Sequence, residues 1–172
     1  GRRLNIIDSY QVDDAEYVFV MMGSFATKAH DAVDSFRNAG WKVGLARIRL
    51  FRPFPQENIR QLLTSKRAVA VIDQNISMGM GGVLYSELAG ALYGQPQAPA
   101  QLLSFIGGLG GRDISLEEFF EIAAVTRKAV EQQKTPPPRL LYTEQELREM
   151  RKLQAVARVE RDELGNNRGP DT

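Results

Sequence analysis

The sequence predicts a three-layer α/β/α domain on a small, mostly parallel sheet, followed by a helical tail. Three observations carry that prediction. Four strand-like segments, at 17–22, 41–50, 68–72 and 102–106, are each followed by a stretch with helical apolar spacing. The segments 17–22 and 68–72 are unbroken apolar runs, as expected of strands covered by helices on both faces. Beyond Lys134 the chain turns proline-rich and then densely charged.

Each element has its own local reason. Tyr17-Val18-Phe19-Val20-Met21-Met22 stops at Gly23-Ser24, and Phe25, Ala29, Ala32, Phe36 and Ala39 then form a stripe closed by Gly40. The segment 41–50 reads as a strand whose alternation slips near Ala46, so a bend or twist is expected there. Pro53 and Pro55 punctuate its exit, and Ile59, Leu62 and Leu63 mark a short helix opening near Pro55. Ala68-Val69-Ala70-Val71-Ile72 leads through a glycine-rich loop to a helical face at Leu84, Leu88, Ala91 and Leu92. After 102–106, Ser115 with Glu118 fits a capping box and Ile114 with Phe119 a hydrophobic staple. The core stripe of that helix is expected at Leu116, Phe119, Phe120, Ala123 and Val130. Leu4-Asn5-Ile6-Ile7 adds a short edge strand.

The domain is expected to span 1–133 and the appendage 134–172. Pro136-Pro137-Pro138 reads as an extended linker. Thr143-Glu144-Gln145-Glu146 opens a charged helix to about residue 163, with Met150, Leu153, Ala157 and Leu164 along a thin apolar face and Leu147 at its edge. The stretch 165–170 is expected to be disordered. A helix with so thin a face either docks on a partner or frays, and docking on a neighbouring subunit is expected.

Composition closes off several functions. Of 172 residues, 43% are hydrophobic and 25% charged, with a net charge of +1, which is an ordinary globular balance without the basic excess of a nucleic-acid footprint. The spots Arg2-Arg3 and Arg47/Arg49/Arg52 are too sparse to change that. With no cysteine and one histidine, His30, the chain alone builds no disulfide, thiolate zinc site, iron–sulfur ligation or paired-imidazole metal site. No apolar run approaches the ~20 residues of a membrane helix, and no signal peptide opens the chain. A cytoplasmic, soluble domain is expected. The chain begins at Gly1 without an initiator Met, which fits a processed piece or a fragment of a longer protein.

Candidate chemistry gathers where an open α/β sheet keeps it, on loops beyond the carboxyl ends of the strands. Gly79-Met80-Gly81-Gly82-Val83-Leu84 and Gly108-Leu109-Gly110-Gly111-Arg112-Asp113 precede helices, but both lack the third glycine of the dinucleotide fingerprint and the Gly-Lys-Ser/Thr ending of a P-loop. They fit backbone anion cradles or tight packing turns. Asp73 is a perturbed carboxylate, a helix cap or an interface group; no second carboxylate or histidine pairs with it in sequence for acid–base work. Arg47, Arg49 and Arg52 are anion clamps or ordinary ion-pair partners. His30 falls on the polar, surface side of the first helix, and Ser24 reads as its cap rather than a nucleophile.

Several segments together resemble one family. Asp14-Ala15-Glu16-Tyr17-Val18-Phe19-Val20-Met21-Met22-Gly23-Ser24 resembles the opening strand of domain II of the 2-oxoacid:ferredoxin oxidoreductases. Lys42-Val43-Gly44-Leu45-Ala46-Arg47-Ile48-Arg49-Leu50-Phe51-Arg52-Pro53-Phe54-Pro55 is similar to that domain's most recognisable stretch. The spacing continues through Ala68-Val69-Ala70-Val71-Ile72-Asp73 and the 107–113 loop, so the resemblance covers about 4–133. Phe51-Arg52-Pro53-Phe54-Pro55 and the Gly-Leu-Gly-Gly-Arg-Asp loop look more like the alpha subunit of the pyruvate enzyme than the 2-oxoglutarate type.

The resemblance implies a fold like the C-terminal domain of transketolase. It also implies a place in an enzyme that converts pyruvate, coenzyme A and oxidised ferredoxin to acetyl-CoA, carbon dioxide and reduced ferredoxin. That enzyme uses thiamine diphosphate, magnesium and iron–sulfur clusters, and has beta, gamma and delta subunits as further partners. This chain has neither the Gly-Asp-Gly of a thiamine diphosphate site nor cluster cysteines, so none of these cofactors is expected on it. No catalytic or metal residue is expected either. Arg52, Phe54, Asp73, Arg112 and Asp113 are expected to pack against other domains and subunits, with no nucleic acid and no membrane as partner. Two other readings are the equivalent domain of a transketolase or 2-oxoacid dehydrogenase beta subunit, and a stand-alone nucleotide- or flavin-binding module.

Overall fold

A computed structural model describes residues 5–77 and 79–166, with side chains as far as Arg161. The chain divides into two units, residues 1–141 and 142–172. In the first, β1 (Ile7–Tyr10), β2 (Tyr17–Met22), β3 (Val43–Ile48), β4 (Ala68–Asp73), β5 (Gln101–Ile106) and β6 (Arg139–Leu140) form one sheet in the order β1-β3-β2-β4-β5-β6. β1 is antiparallel to β3, and every other pairing is parallel. The helices between the parallel strands are α1 (Ala26–Asn38), α2 (Gln56–Leu63), α3 (Val83–Leu92) and α4 (Leu116–Gln132). Four strand–helix repeats are therefore present, as the periodicities predict.

Alternation along the strands sorts the core into two layers. Phe19, Met21, Ala70 and Ile72 point to α1 and α4, while Val18, Val20, Val69 and Val71 point to α2 and α3. Both faces are covered, which is why β2 and β4 read as continuous apolar runs. On the first face Phe19 meets Phe36 at 6.0 Å and Phe119 at 5.9 Å between ring centroids.

Several expectations are corrected. The slip near Ala46 does not break the pairing: β3 keeps an unbroken register with β2 from Val43 to Ile48 and with β1 from Leu45 to Ile48, and its alternation fades because both faces are buried. The edge strand lies at Ile7–Tyr10 rather than 4–7; Leu4 falls outside the described residues, as do Arg2 and Arg3. The stripe of α4 is rotated, with Phe119, Ile122, Ala123, Thr126 and Ala129 buried and Leu116 and Phe120 exposed. Phe120 instead rests its ring against Phe36, centroids 4.9 Å apart. The first unit runs past residue 133, because Arg139 and Leu140 pair with β5 and Leu141 is buried in the first core layer. Ser24 offers its carbonyl to the Thr27 N–H (3.0 Å), and no side chain caps α1. His30 is half-buried against Tyr10, ring centroids 4.4 Å apart.

The second unit holds α5 (Glu144–Asn166), which runs through Gly165 and Asn166, where disorder is expected from sequence. Residues 167–170 and the Leu164 side chain lie outside the description. Thr143 and Glu146 form a reciprocal cap: the Glu146 N–H donates to Thr143 Oγ1 (3.2 Å) and the Thr143 N–H to Glu146 Oε2 (2.7 Å). Among the described residues no helix is long and apolar enough to cross a membrane.

Candidate functional site

The carboxyl ends of the parallel strands carry four loops, and their backbone amides decide what this edge can bind. β2 lies between β3 and β4, so the strand order reverses there and opens the crevice where ligands of open α/β folds sit. Gln74 fills it. A Cβ added to Gly23 would stand 3.4 Å from Gln74 Oε1, and one on Gly108 3.5 Å from its Cγ. The glycines are packing turns here.

At the next loop Asp73 closes β4 and caps α3 across the loop. Its Oδ1 accepts from the Leu84 N–H (2.9 Å) and its Oδ2 from the Tyr85 N–H (3.1 Å). Asn75 Oδ1 accepts the Val83 N–H (2.9 Å), while its Nδ2 donates to Asp73 Oδ1 (3.4 Å). The free amides that would otherwise draw an anion to α3 are thus consumed by the chain itself. Gly82 follows from this arrangement, since a Cβ there would collide with the Asp73 carboxylate. Asp73 is buried (2% exposed), and burial raises its pKa above the ordinary carboxylate value against the opposing hydrogen bonds from Leu84, Tyr85 and Asn75.

The start of α4 is closed in the same way. The Ser115–Glu118 capping box is present, with the Glu118 N–H on Ser115 Oγ (3.3 Å) and the Ser115 N–H on Glu118 Oε2 (2.8 Å). Arg112 forks onto the same carboxylate, Nη2 to Oε1 at 2.6 Å and Nη1 to Oε2 at 3.2 Å. Asp113 pairs with Lys28 of α1, and that hydrogen bond holds its pKa below the ordinary carboxylate value. On the opposite face Arg52 Nη2 donates to Glu87 Oε1 of α3 (2.6 Å), and its guanidinium lies 4.1 Å from the Phe51 ring centroid. Phe51 and Phe54 meet edge-on at 5.8 Å and pack against the second core layer. Arg49 pairs with Asp8 at 2.7 Å.

The five residues expected at an interface therefore do not converge. Arg52 and Phe54 lie on the α2/α3 side, Arg112 and Asp113 on the α1/α4 side, and Asp73 is turned inward between the loops. Sequence reading missed Gln74, packed beside Gly23 and Gly108, Asn75, whose side chain reaches the Val83 N–H eight residues on, and Glu87, whose partner Arg52 is 35 residues away. It also missed Leu50, Ile76 and Met80, which stand 41%, 47% and 62% exposed on the loops after β3 and β4. For Ile76 and Met80 the signal was present, as apolar side chains in a loop outside every helical or strand period; Leu50 was hidden at the end of the segment 41–50, since β3 stops at Ile48.

These donors do not suit a diphosphate or a cluster. Carboxylates already stand at the N-termini of α3 and α4, where they repel a further anion. The chain has no cysteine, and among the described residues no three acidic or histidine side chains gather to hold a metal.

The architecture is a mostly parallel α/β domain with helices on both faces of its sheet, and solved structures share it. A split-gene transketolase, described as an inactive β4 tetramer, matches with a TM-score of 0.55 and 15% identity, over 74% of this chain and 42% of that one. The 2-oxoglutarate:ferredoxin oxidoreductase from Magnetococcus marinus matches with a TM-score of 0.51 and 17% identity, over 74% and 20%. The family model for pyruvate:ferredoxin oxidoreductase core domain II matches residues 15–119, and the chain belongs to that family. Pyruvate synthase subunit PorA of Pyrococcus abyssi is 40% identical over 138 residues, 80% of this chain and 35% of the relative. Ketoisovalerate oxidoreductase subunit VorA of Pyrococcus furiosus is 40% identical over 126 residues, 73% of this chain and 32% of the relative. The chain thus spans about a third of the length of these curated relatives.

Proposed function

We propose that this chain is the domain-II portion of the alpha subunit of a thiamine-diphosphate-dependent pyruvate:ferredoxin oxidoreductase, where it positions neighbouring domains without touching the substrate. The observation that carries this reading is the pair of helix N-termini filled by Asp73 and Glu118 on a chain that belongs to the domain-II family. A domain whose anion sites are closed from within contributes surface. That surface is the loop edge: Arg52 and Phe54 on the α2/α3 side, Arg112 and Asp113 on the α1/α4 side, the exposed Leu50, Ile76 and Met80 on the loops after β3 and β4, and Asp73 turned inward between the loops. Thiamine diphosphate, magnesium and the clusters belong to other domains and to the beta, gamma and delta subunits, through which ferredoxin is reduced in the cytoplasm. In α5, Leu153, Val156 and Val159 are exposed and suit docking on a neighbouring subunit.

The test is assembly. Arg52→Ala in the full-length subunit, co-expressed with its partners, should lower the yield of intact complex, with turnover falling in step. Full assembly with normal turnover would overturn the interface role, and a turnover defect in an intact complex would place Arg52 in the chemistry. Calorimetry of this chain with thiamine diphosphate and magnesium should show no micromolar binding. A second reading, with 2-ketoisovalerate as substrate, is supported by the 40% identity to the VorA subunit. Steady-state rates of the complex on the two acids separate them.

A further inference from the structure

The two edges of the sheet are finished differently. β6 is two residues long and follows Pro136-Pro137-Pro138, a short, proline-flanked edge that resists pairing. β1 is four residues long and carries neither proline nor lysine. Its hydrogen-bonding phase follows from the register. The Arg49 N–H donates to the Ile6 carbonyl (2.9 Å), so Ile6 opposite Arg49 is a hydrogen-bonded pair, and Asp8 opposite Arg47 is the next. Ile7 and Ser9 fall between them, so their N–H and C=O groups point away from β3. Among the described residues no strand lies on that side.

Beneath this edge runs a groove of about 810 Å³ between β1 and α2. Ile7 and Ser9 line one wall; Asn58, Gln61 and Leu62 line the other. The lining is amide, hydroxyl and aliphatic, suited to the small side chains of one face of an extended strand. Lys66 closes one end, its Nζ donating to the carbonyls of Val12 (2.7 Å) and Asp13 (3.3 Å). The exposed Asp13 carboxylate beside it has no ion partner among the described residues.

We propose that β1 and this groove receive an extended polypeptide segment from a partner protein. The segment adds a seventh strand through the backbone of Ile7 and Ser9, with Thr-, Val- or Ile-like side chains in the groove and a lysine or arginine at Asp13. A second copy of this chain is the competing occupant, and the experiment reads it out: the antiparallel register that uses Ile7 and Ser9 on both strands sets two Asp8–Arg49 ion pairs opposite each other. The proposal stands apart from the loop-edge reading, since it concerns a different edge of the sheet.

The experiment is a selection of displayed heptapeptides on the 172-residue chain, followed by amide hydrogen exchange with the winning synthetic peptide. Enriched sequences should alternate Thr, Val or Ile with variable residues and carry a basic residue near one end. The bound peptide should slow exchange at Ile7 and Ser9 about tenfold, as an added hydrogen bond of ordinary net strength does, and leave Asp8 unchanged. Ser9→Pro removes an outward N–H without touching the β3 ladder and should abolish binding. Asn58→Trp fills the groove from α2 and should abolish it independently, while Ser9→Thr should retain it. The proposal is overturned if no sequence is enriched over the two blocking variants, if enriched peptides protect another surface, or if Ile7 and Ser9 become protected by self-association in peptide-free samples.

Discussion

Asp73 offers the sharpest test of how the loop edge is held. Asp73→Ala strips the acceptors from the Leu84 and Tyr85 amides at once. Leu84 is 2% exposed, so its N–H finds no ready substitute in water. An unsatisfied buried donor costs about 1–3 kcal/mol, and loss of an N-cap about 1 kcal/mol. Against this, the variant no longer buries a carboxylate whose ionised form burial disfavours. The balance is about 2 kcal/mol of lost stability, or about 1 M in urea midpoint with an m-value of about 2 kcal/mol/M. Trp41, the only tryptophan, stacks on Phe36 at 5.7 Å and reports the packing of the first unit by fluorescence. Gly82→Ala should destabilise on its own, and the double variant should lose less than the sum, because the clash needs the carboxylate. The pH dependence has a definite sign. Asp73 has a raised pKa in the fold, so its contribution is fullest below the ordinary value of 3.8 and declines as pH rises through the raised value. Wild type should therefore gain on Asp73→Asn as pH falls from neutral toward 4. A shift under about 0.3 M for Asp73→Ala, additive double variants, or the opposite pH trend would refute the account.

At α4, Glu118→Ala removes both the cap and the carboxylate held by Arg112 and should lower stability by about 2–3 kcal/mol; Glu118→Gln keeps an acceptor and should lose about half of that in the same urea titration. Asp113, held low by Lys28, should titrate below 3.8 by NMR and move upward in Lys28→Ala; its small contribution is present above 3.8 and lost as pH falls through its lowered value. A synthetic peptide of residues 142–172 should be partly helical by circular dichroism, as an isolated helix of this length is marginal in water, and Thr143→Ala should lower its helicity by removing the cap.

How much of this was legible depends on the range of the interactions. The capping box at Ser115 and Glu118 is a four-residue pattern, and the structure realises both of its hydrogen bonds. The strand–helix repeat was legible because burial on two faces leaves an unbroken apolar run. The α4 stripe was misread because Leu116 and Phe120 share the helical period of Phe119 and Ala123 within the width of a stripe, and only the tertiary packing decides which of them turns outward. β6 was not legible because three prolines suggest a linker whatever lies beyond, and two residues are too few to carry a period. Asp73 was recognised as a possible cap, but its partners lie 11 and 12 residues away across a glycine-rich loop, beyond any local capping pattern.

That loop also explains why the glycine-rich segments resembled ligand cradles at all. A backbone that leaves a strand, turns tightly and enters a helix exposes the same amides whether or not a ligand is to be held. What distinguishes the two cases is what supplies the negative charge. In a phosphate site it arrives with the ligand, and the protein keeps the place open with glycines and a basic side chain. Here it comes from Asp73 at the end of the preceding strand and from Glu118 in the first turn of the following helix, and Gly82 makes room for a carboxylate of the chain itself. An internal carboxylate ties strand to helix and leaves little for an external anion to gain. The same geometry that makes nucleotide sites in other α/β folds therefore makes an internally braced edge here, as the proposed positioning role requires.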